Sequence, residues 1–174
     1  MTDWPAIVGR HESAVWQTAY RLLGNRADAS DCFQETFLSA LELSRRQKVR
    51  NWSALLMRVC TCRAMDQLRR RCRRADRHED VADWAAVASP NPGPSEWALA
   101  AELSQRLRLA LAALPGRQAE VFCMRCLNDL SYRAIARLLG IKTSAVGVLL
   151  HRARSRLREL LSPAVATEDV EVKP

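Results

Sequence analysis

The sequence predicts an all-α protein built as two small helical domains joined by a flexible linker. Three observations carry that expectation. Apolar residues recur every three or four positions through most of the 174 residues, which is the period of a helix. Continuous alternation of the kind a strand needs is missing from the sequence. One proline-rich interruption, Ser89-Pro90-Asn91-Pro92-Gly93-Pro94, splits the helical runs into two groups, because proline lacks the amide and restricts its predecessor.

The elements follow in order. Val15, Ala19, Leu22 and Leu23 mark a first helix, and Gly24-Asn25 is a helix stop and turn. Phe33, Phe37, Leu38 and Leu41 mark a second. Leu55, Leu56, Val59, Met65 and Leu68 form a third stripe, on a helix from about Trp52 to Arg74. These elements make a first domain, residues 1–76. The linker is placed at 77–97, with a short helix around Trp84. Leu99, Leu103, Leu107, Leu111 and Leu114 then restart a helical stripe that Pro115-Gly116 ends. One further helix from Gln118 to Leu127 and two within 132–162 complete a second domain, residues 98–162. The tail 163–174 is expected to be disordered.

Charge narrows the function. Twenty-seven Lys and Arg against nineteen Asp and Glu give a net charge of +8. Residues 45–78 carry twelve basic residues against Asp66 and Asp76, and residues 131–160 carry seven against Glu159. Two basic blocks separated by acidic or neutral sequence suit two contacts with one long polyanion. No apolar run approaches the roughly 18 residues of a membrane helix, and the start Met-Thr-Asp-Trp-Pro lacks the order of a signal peptide. A soluble cytoplasmic protein without membrane insertion is expected.

Metal and enzyme chemistry find little support. The six cysteines, at 32, 60, 62, 72, 123 and 126, lack a second ligand pair at zinc-site spacing and read chiefly as small buried hydrophobes. Cys123 and Cys126, three apart, leave a thiol sensor as a minor alternative. His11, His78 and His151 form no zincin motif, and phosphate-loop, dinucleotide and Gly-x-Ser-x-Gly fingerprints are absent from the sequence. Neither an enzyme nor a cofactor is expected.

The strongest motif runs from Ser131 to Arg154. Ser131 is placed to cap one helix, Ala136 is small where a second helix must cross, Gly140 makes the turn, and Thr143 is placed to cap the second helix. Val146, Leu150, Ala153 and Leu157 face inward; Ser144, Ala145, Gly147, Val148, His151 and Arg152 face outward. This is helix-turn-helix spacing, with the second helix directed at a major groove. A stand-alone helix-turn-helix regulator is the competing reading, but it leaves the first basic block without a role.

Asp31-Cys-Phe-Gln-Glu-Thr-Phe37 resembles the acidic, Gln-Glu-Thr-Phe-bearing helix of bacterial sigma factors. Leu114-Pro-Gly-Arg-Gln-Ala-Glu-Val-Phe122, with Leu130-Ser-Tyr-Arg-Ala-Ile-Ala and Leu150-His-Arg-Ala-Arg after it, is similar to their fourth domain. Size and motif order resemble the extracytoplasmic-function (ECF) group of the sigma-70 family, over about residues 8–162.

The resemblance implies a transcription initiation factor that binds core RNA polymerase and promoter DNA, with an anti-sigma factor as a further partner. It assigns polymerase docking to Asp31, Gln34, Glu35, Phe37 and Leu38. Promoter melting and minus-ten reading fall to Arg45, Arg46, Lys48 and Arg50 in a loop, with Trp52 as a stacking platform or a packing residue at the domain edge, and to Arg58, Arg63, Arg69, Arg70 and Arg73 on the following helix. The helix-turn-helix contacts to the minus-thirty-five element fall to Tyr132, Arg133, Thr143, Ser144, Ala145, Val148, His151, Arg152 and Arg154. The chain departs from the family pattern at Cys62, where Asn is frequent, and at Gly147 and Leu149 on the recognition helix.

Overall fold

Helix punctuation in this chain comes from short polar side chains and two glycines. In the computed structural model, which describes residues 3–76 and 95–162, the Asp3 carboxylate accepts the Ala6 amide at 3.2 Å and opens α1 (Trp4–Leu23). Gly24 closes it at φ +78°, a left-handed conformation that costs glycine nothing. The Asn25 side chain accepts the Asp28 amide at 2.8 Å and opens α2 (Arg26–Arg46). The Asn51 side chain accepts the Ala54 amide at the start of α3 (Trp52–Asp76).

The second half contains α4 (Ser95–Ala113), α5 (Gly116–Cys126), α6 (Tyr132–Leu139) and α7 (Thr143–Leu161). All seven elements among the described residues are helices, and none is a strand. Helix α4 begins at Ser95, inside the span assigned to the linker. The remainder of that span, the expected short helix at Trp84 and the tail 163–174 lie outside the described residues.

Ser131 caps α6 as its position suggests, accepting the Ala134 amide at 3.2 Å, and Gly140 ends α6 at φ +65°. The chain axis then turns by 102° into α7, within the range of a helix-turn-helix. Thr143 does not cap α7. Lys142 holds the cap position, no side chain bonds there, and Thr143 is the first helical residue. The extended backbone falls one residue earlier than the threonine rule suggests.

The period-four leucines of α4 are only partly core. Each step of four overshoots a 3.6-residue turn by about 40°, so the row winds off the buried face. Leu111 is buried and Leu107 half-buried, whereas Leu103 and Leu99 are 52% and 57% exposed.

Helices α1, α2 and α3 form a three-helix unit whose apolar faces meet at Val15, Ala19, Leu22, Cys32, Leu56, Cys60, Ala64 and Leu68. That core does not stop at the first domain. It continues through Leu111 and Leu114, Ala119 and Cys123 on the second side, and reaches Ala153 and Leu157 of α7. A smaller second core of Val121, Met124, Ile135, Leu139, Val146 and Leu150 holds the helix-turn-helix together.

Candidate functional site

The Gln-Glu-Thr-Phe segment lies mid-way along α2, and its residues divide by face. Thr36 and Cys32 are buried; Thr36 donates to the Cys32 carbonyl at 2.7 Å. Phe33 and Phe37 are half-buried and pack edge to face, with ring centroids 5.0 Å apart; Trp16 of α1 packs on Phe33. Asp31, Gln34 and Glu35 are exposed, and Leu38 is 60% exposed. A row of polar groups beside an uncovered leucine and the edge of an aromatic pair is a surface suited to a partner helix. Glu35 is already oriented: Arg63 Nη1 donates to its carboxylate at 2.6 Å, while the rest of that guanidinium bonds Ser39.

Beyond α2 the loop makes an open cationic pocket of about 470 Å³, lined by Arg45, Arg46, Lys48 and Trp52. Arg45, Arg46, Lys48 and Arg50 are exposed. Trp52 is half-buried, its ring packed edge-on against Trp4 at 5.1 Å, so its expected packing role is present and one side still borders the pocket. A second open groove, of about 580 Å³, runs between α2 and α3 past Glu42, Arg46, Arg58, Arg63 and Asp66.

Of the α3 arginines, Arg58, Arg69, Arg70 and Arg73 fall into two classes, while Arg63 and Arg71 are bound within the first domain. Arg70 and Arg73 are exposed, as a contact with phosphates requires. Arg58 and Arg69 instead reach the second domain. Arg58 donates to Glu120 of α5 at 3.2 Å and to the Leu138 carbonyl of α6 at 2.7 Å. Arg69 donates to the carbonyls of Ala112 and Leu114, at 3.4 and 3.2 Å.

In the helix-turn-helix, Val146, Leu150, Ala153 and Leu157 are buried, so the opposite side of α7 faces outward. Thr143, Ser144, Val148, His151, Arg152 and Arg154 are exposed, and Ala145 is half-buried. Arg133 is exposed, and Tyr132 is exposed with its ring over Gly147 and Arg125 beside it. A β-carbon at Gly147 would meet the Tyr132 ring at 3.8 Å, an ordinary contact.

Three of the six thiols lie in the core, Cys62 and Cys72 are half-buried, and Cys126 is exposed. Cys32, Cys60 and Cys123 are buried, and burial pushes the Cys123 thiol up to about 12. Cys62 donates to Glu120 at 3.3 Å, and burial together with that carboxylate raises its pKa to about 12. Cys126 is exposed while Cys123 points inward, so the two do not share a face. Among the described residues, no group of three or more His, Cys, Asp or Glu is placed to hold a metal.

Sequence reasoning did not identify Thr18, Arg108, Glu120 and Asn128, all of which join the two halves. Thr18 and Thr61 bond Asn128, Glu120 accepts from Arg58 and Cys62, and Arg108 donates to the Arg21 carbonyl; partners so far away in the chain leave no local pattern.

A three-helix unit with a cationic loop, joined to a helix-turn-helix that presents a polar face, defines a two-domain DNA-binding protein. Residues 7–74 match the family described as Sigma-70 region 2, and residues 104–157 match Sigma-70, region 4. The ECF RNA polymerase sigma factor SigF of Caulobacter vibrioides is 33% identical over 146 residues, covering 83% of this chain and 76% of that relative. The ECF RNA polymerase sigma factor SigE of Mycolicibacterium smegmatis is 34% identical over 165 residues, covering 93% of this chain and 63% of the relative. CnrH, solved in complex with the cytosolic domain of CnrY, aligns with a TM-score of 0.60 at 25% identity, covering 91% of this chain and 86% of that one. The chain belongs to the ECF sigma factors of the sigma-70 family.

Proposed function

We propose that this chain binds core RNA polymerase through the exposed face of α2 and directs it to a promoter, without catalysing a covalent step itself. The observation that carries this reading is the pairing of two separate surfaces on one chain. The acidic and apolar row Asp31, Gln34, Glu35, Phe37 and Leu38 lies on α2, and the polar face of α7 presents Ser144, His151 and Arg152. Family membership supports giving the first to polymerase and the second to duplex DNA.

Between them, the pocket beside Trp52 and the exposed Arg70 and Arg73 suit an unpaired strand. Cations follow the phosphates, and the pocket accepts an unstacked base, whose capture offsets part of the few kcal/mol that unstacking costs. The division proposed is residues 1–76 for polymerase and minus-ten binding and 98–162 for minus-thirty-five binding. The second contact acts at the raised effective concentration that a covalent connection provides. Function with polymerase places the protein in the cytoplasm; no single helix among the described residues is long and apolar enough to cross a membrane. An anti-sigma protein is the expected negative regulator, and the complex of the similar CnrH with CnrY supports a protein partner.

Run-off transcription with added core polymerase, followed by start-site mapping, tests the reading. Promoter-dependent transcripts that appear only with this chain are expected. Replacing Glu35 by Arg and Gln34 by Ala should weaken core binding while helical content stays intact. Unchanged affinity in a direct titration would remove the docking assignment.

A further inference from the structure

In a helix-turn-helix the amino-terminal part of the second helix meets the base edges in the major groove. The first two turns of α7 hold no side chain able to make the paired hydrogen bonds by which arginine reads guanine or glutamine reads adenine. Their outward positions are Thr143, Ser144, Ala145, Gly147 and Val148, and Lys142 stands before the helix at its cap. The first long donors within α7, His151 and Arg152, come about two turns further on.

The centre of that face is apolar. Counting about 100° per residue, Val148 lies about 170° around the helix from the mean of the buried row Val146, Leu150, Ala153 and Leu157. It is 50% exposed. Beside it the Tyr132 ring of α6, itself 39% exposed, lies over Gly147, where an added β-carbon would stand 3.8 Å from the ring. The ring thus fills space that a long side chain at position 147 would take. It is also braced: the Arg125 guanidinium stands 5.9 Å from its centroid and donates to the Leu130 carbonyl at 3.5 Å.

An exposed valine and an aromatic ring gain most when an apolar group covers them. Arg133, Arg152 and Arg154 are exposed around them, and those cations suit the phosphates that flank a groove, so the cover is DNA. Among the base edges of a major groove, thymine alone offers an apolar group, its C5 methyl. We infer that Val148 and Tyr132 form a methyl-reading surface, so that the upstream element this chain selects carries thymine, on either strand, at the centre of the α7 footprint. The inference rests on the sigma-factor reading for its promoter and deepens it by naming the base and the atom that is read.

The test uses the full chain bound to core polymerase. Duplexes randomised only across the upstream element are selected by binding at fixed salt and sequenced, and enrichment of thymine at one or two adjacent positions is expected. The enriched duplex is then remade with deoxyuridine at those positions, which removes the methyl and keeps every hydrogen-bonding group. Binding should weaken by about fourfold per methyl, the worth of one buried carbon. Val148→Ser, at an exposed position outside both cores, should bind the thymine and deoxyuridine duplexes equally. Tyr132→Ala should narrow the difference while circular dichroism shows unchanged helix.

Equal binding of the two duplexes by the unaltered chain overturns the inference. A difference undiminished in both variants overturns it as well. A free chain that sediments as a dimer, and as a monomer in Val148→Ser, gives the patch to a second copy and also overturns it. If the chain fails to join core polymerase but alone prefers the thymine duplex by the stated factor, the methyl reading stands and the sigma-factor reading fails.

Discussion

The two basic blocks of this chain are alike in composition and opposite in how they are held. On α7 the apolar stripe is spent on the protein's own core, and Ser144, His151 and Arg152 project from the other side. On α3, four arginines are occupied at once: Arg58 and Arg69 by the second domain, Arg63 by Glu35 and Ser39, and Arg71 by Asp28 and the Leu23 carbonyl. The first surface is presented and the second committed. Charge alone therefore does not tell a binding face from a structural one; what matters is whether each cation has a partner already paid for.

The sharpest way to break this comparison is to cut the shared core from the second domain's side. Leu111→Ala, at a residue 1% exposed, should cost about 2–5 kcal/mol by urea denaturation. The loss should also appear as faster hydrogen exchange across residues 15–22; protection unchanged there would show that the halves fold independently. The next effect is alkaline. The Cys123 thiol is raised from its ordinary 9.0 to about 12, so the folded chain keeps a proton that the unfolded chain loses. Stability from this group is complete below pH 9 and falls as pH rises toward 12, by about 1.4 kcal/mol per unit. In Cys123→Ala, denaturation midpoints across pH 8 to 11 should decline less steeply than in the unaltered chain.

On the presented surface, Arg152→Ala should cost about 1–3 kcal/mol and relax preference at one base pair, measured with a randomised upstream element at fixed salt. Arg154→Ala should weaken all sequences about equally. If both behave alike, α7 only positions the protein. The smallest effect is Gly147→Ala, where a methyl meets the Tyr132 ring without crowding. Thermal unfolding should show a gain of about 1 kcal/mol, the helix penalty of glycine.

What could be read from the chain beforehand was whatever depends on near neighbours. Asn25, Ser131, Gly24 and Gly140 act within three or four residues of themselves, and each terminates or starts the helix its position suggests. The inward row of α7 follows from spacing alone. The exposure of Leu99 and Leu103 was hidden by a period that mimics an amphipathic stripe while drifting around the helix. Thr143 has the chemistry of a cap, but the extended backbone that a cap requires falls on Lys142. At the site, exposure of Arg70, Arg73 and Arg152 was legible from pattern, whereas the engagement of Arg58 and Arg69 was not. Their partners, Glu120 and the carbonyls of Leu138, Ala112 and Leu114, are 43 to 80 residues away in the chain.

The continuity of the core from Val15 to Leu157 also sets an order of events during synthesis. The first three helices leave the ribosome with their α1–α3 apolar face complete and its cover still untranslated. At about 5–20 residues per second, the stretch from Leu68 to Leu157 takes on the order of 5–20 seconds to appear. For that interval the side of the three-helix core that Leu111, Leu114, Ala119 and Cys123 later complete lies uncovered. A nascent chain of this design needs either a chaperone or an early binding partner at that face, and chains stalled before α5 are the ones that should aggregate.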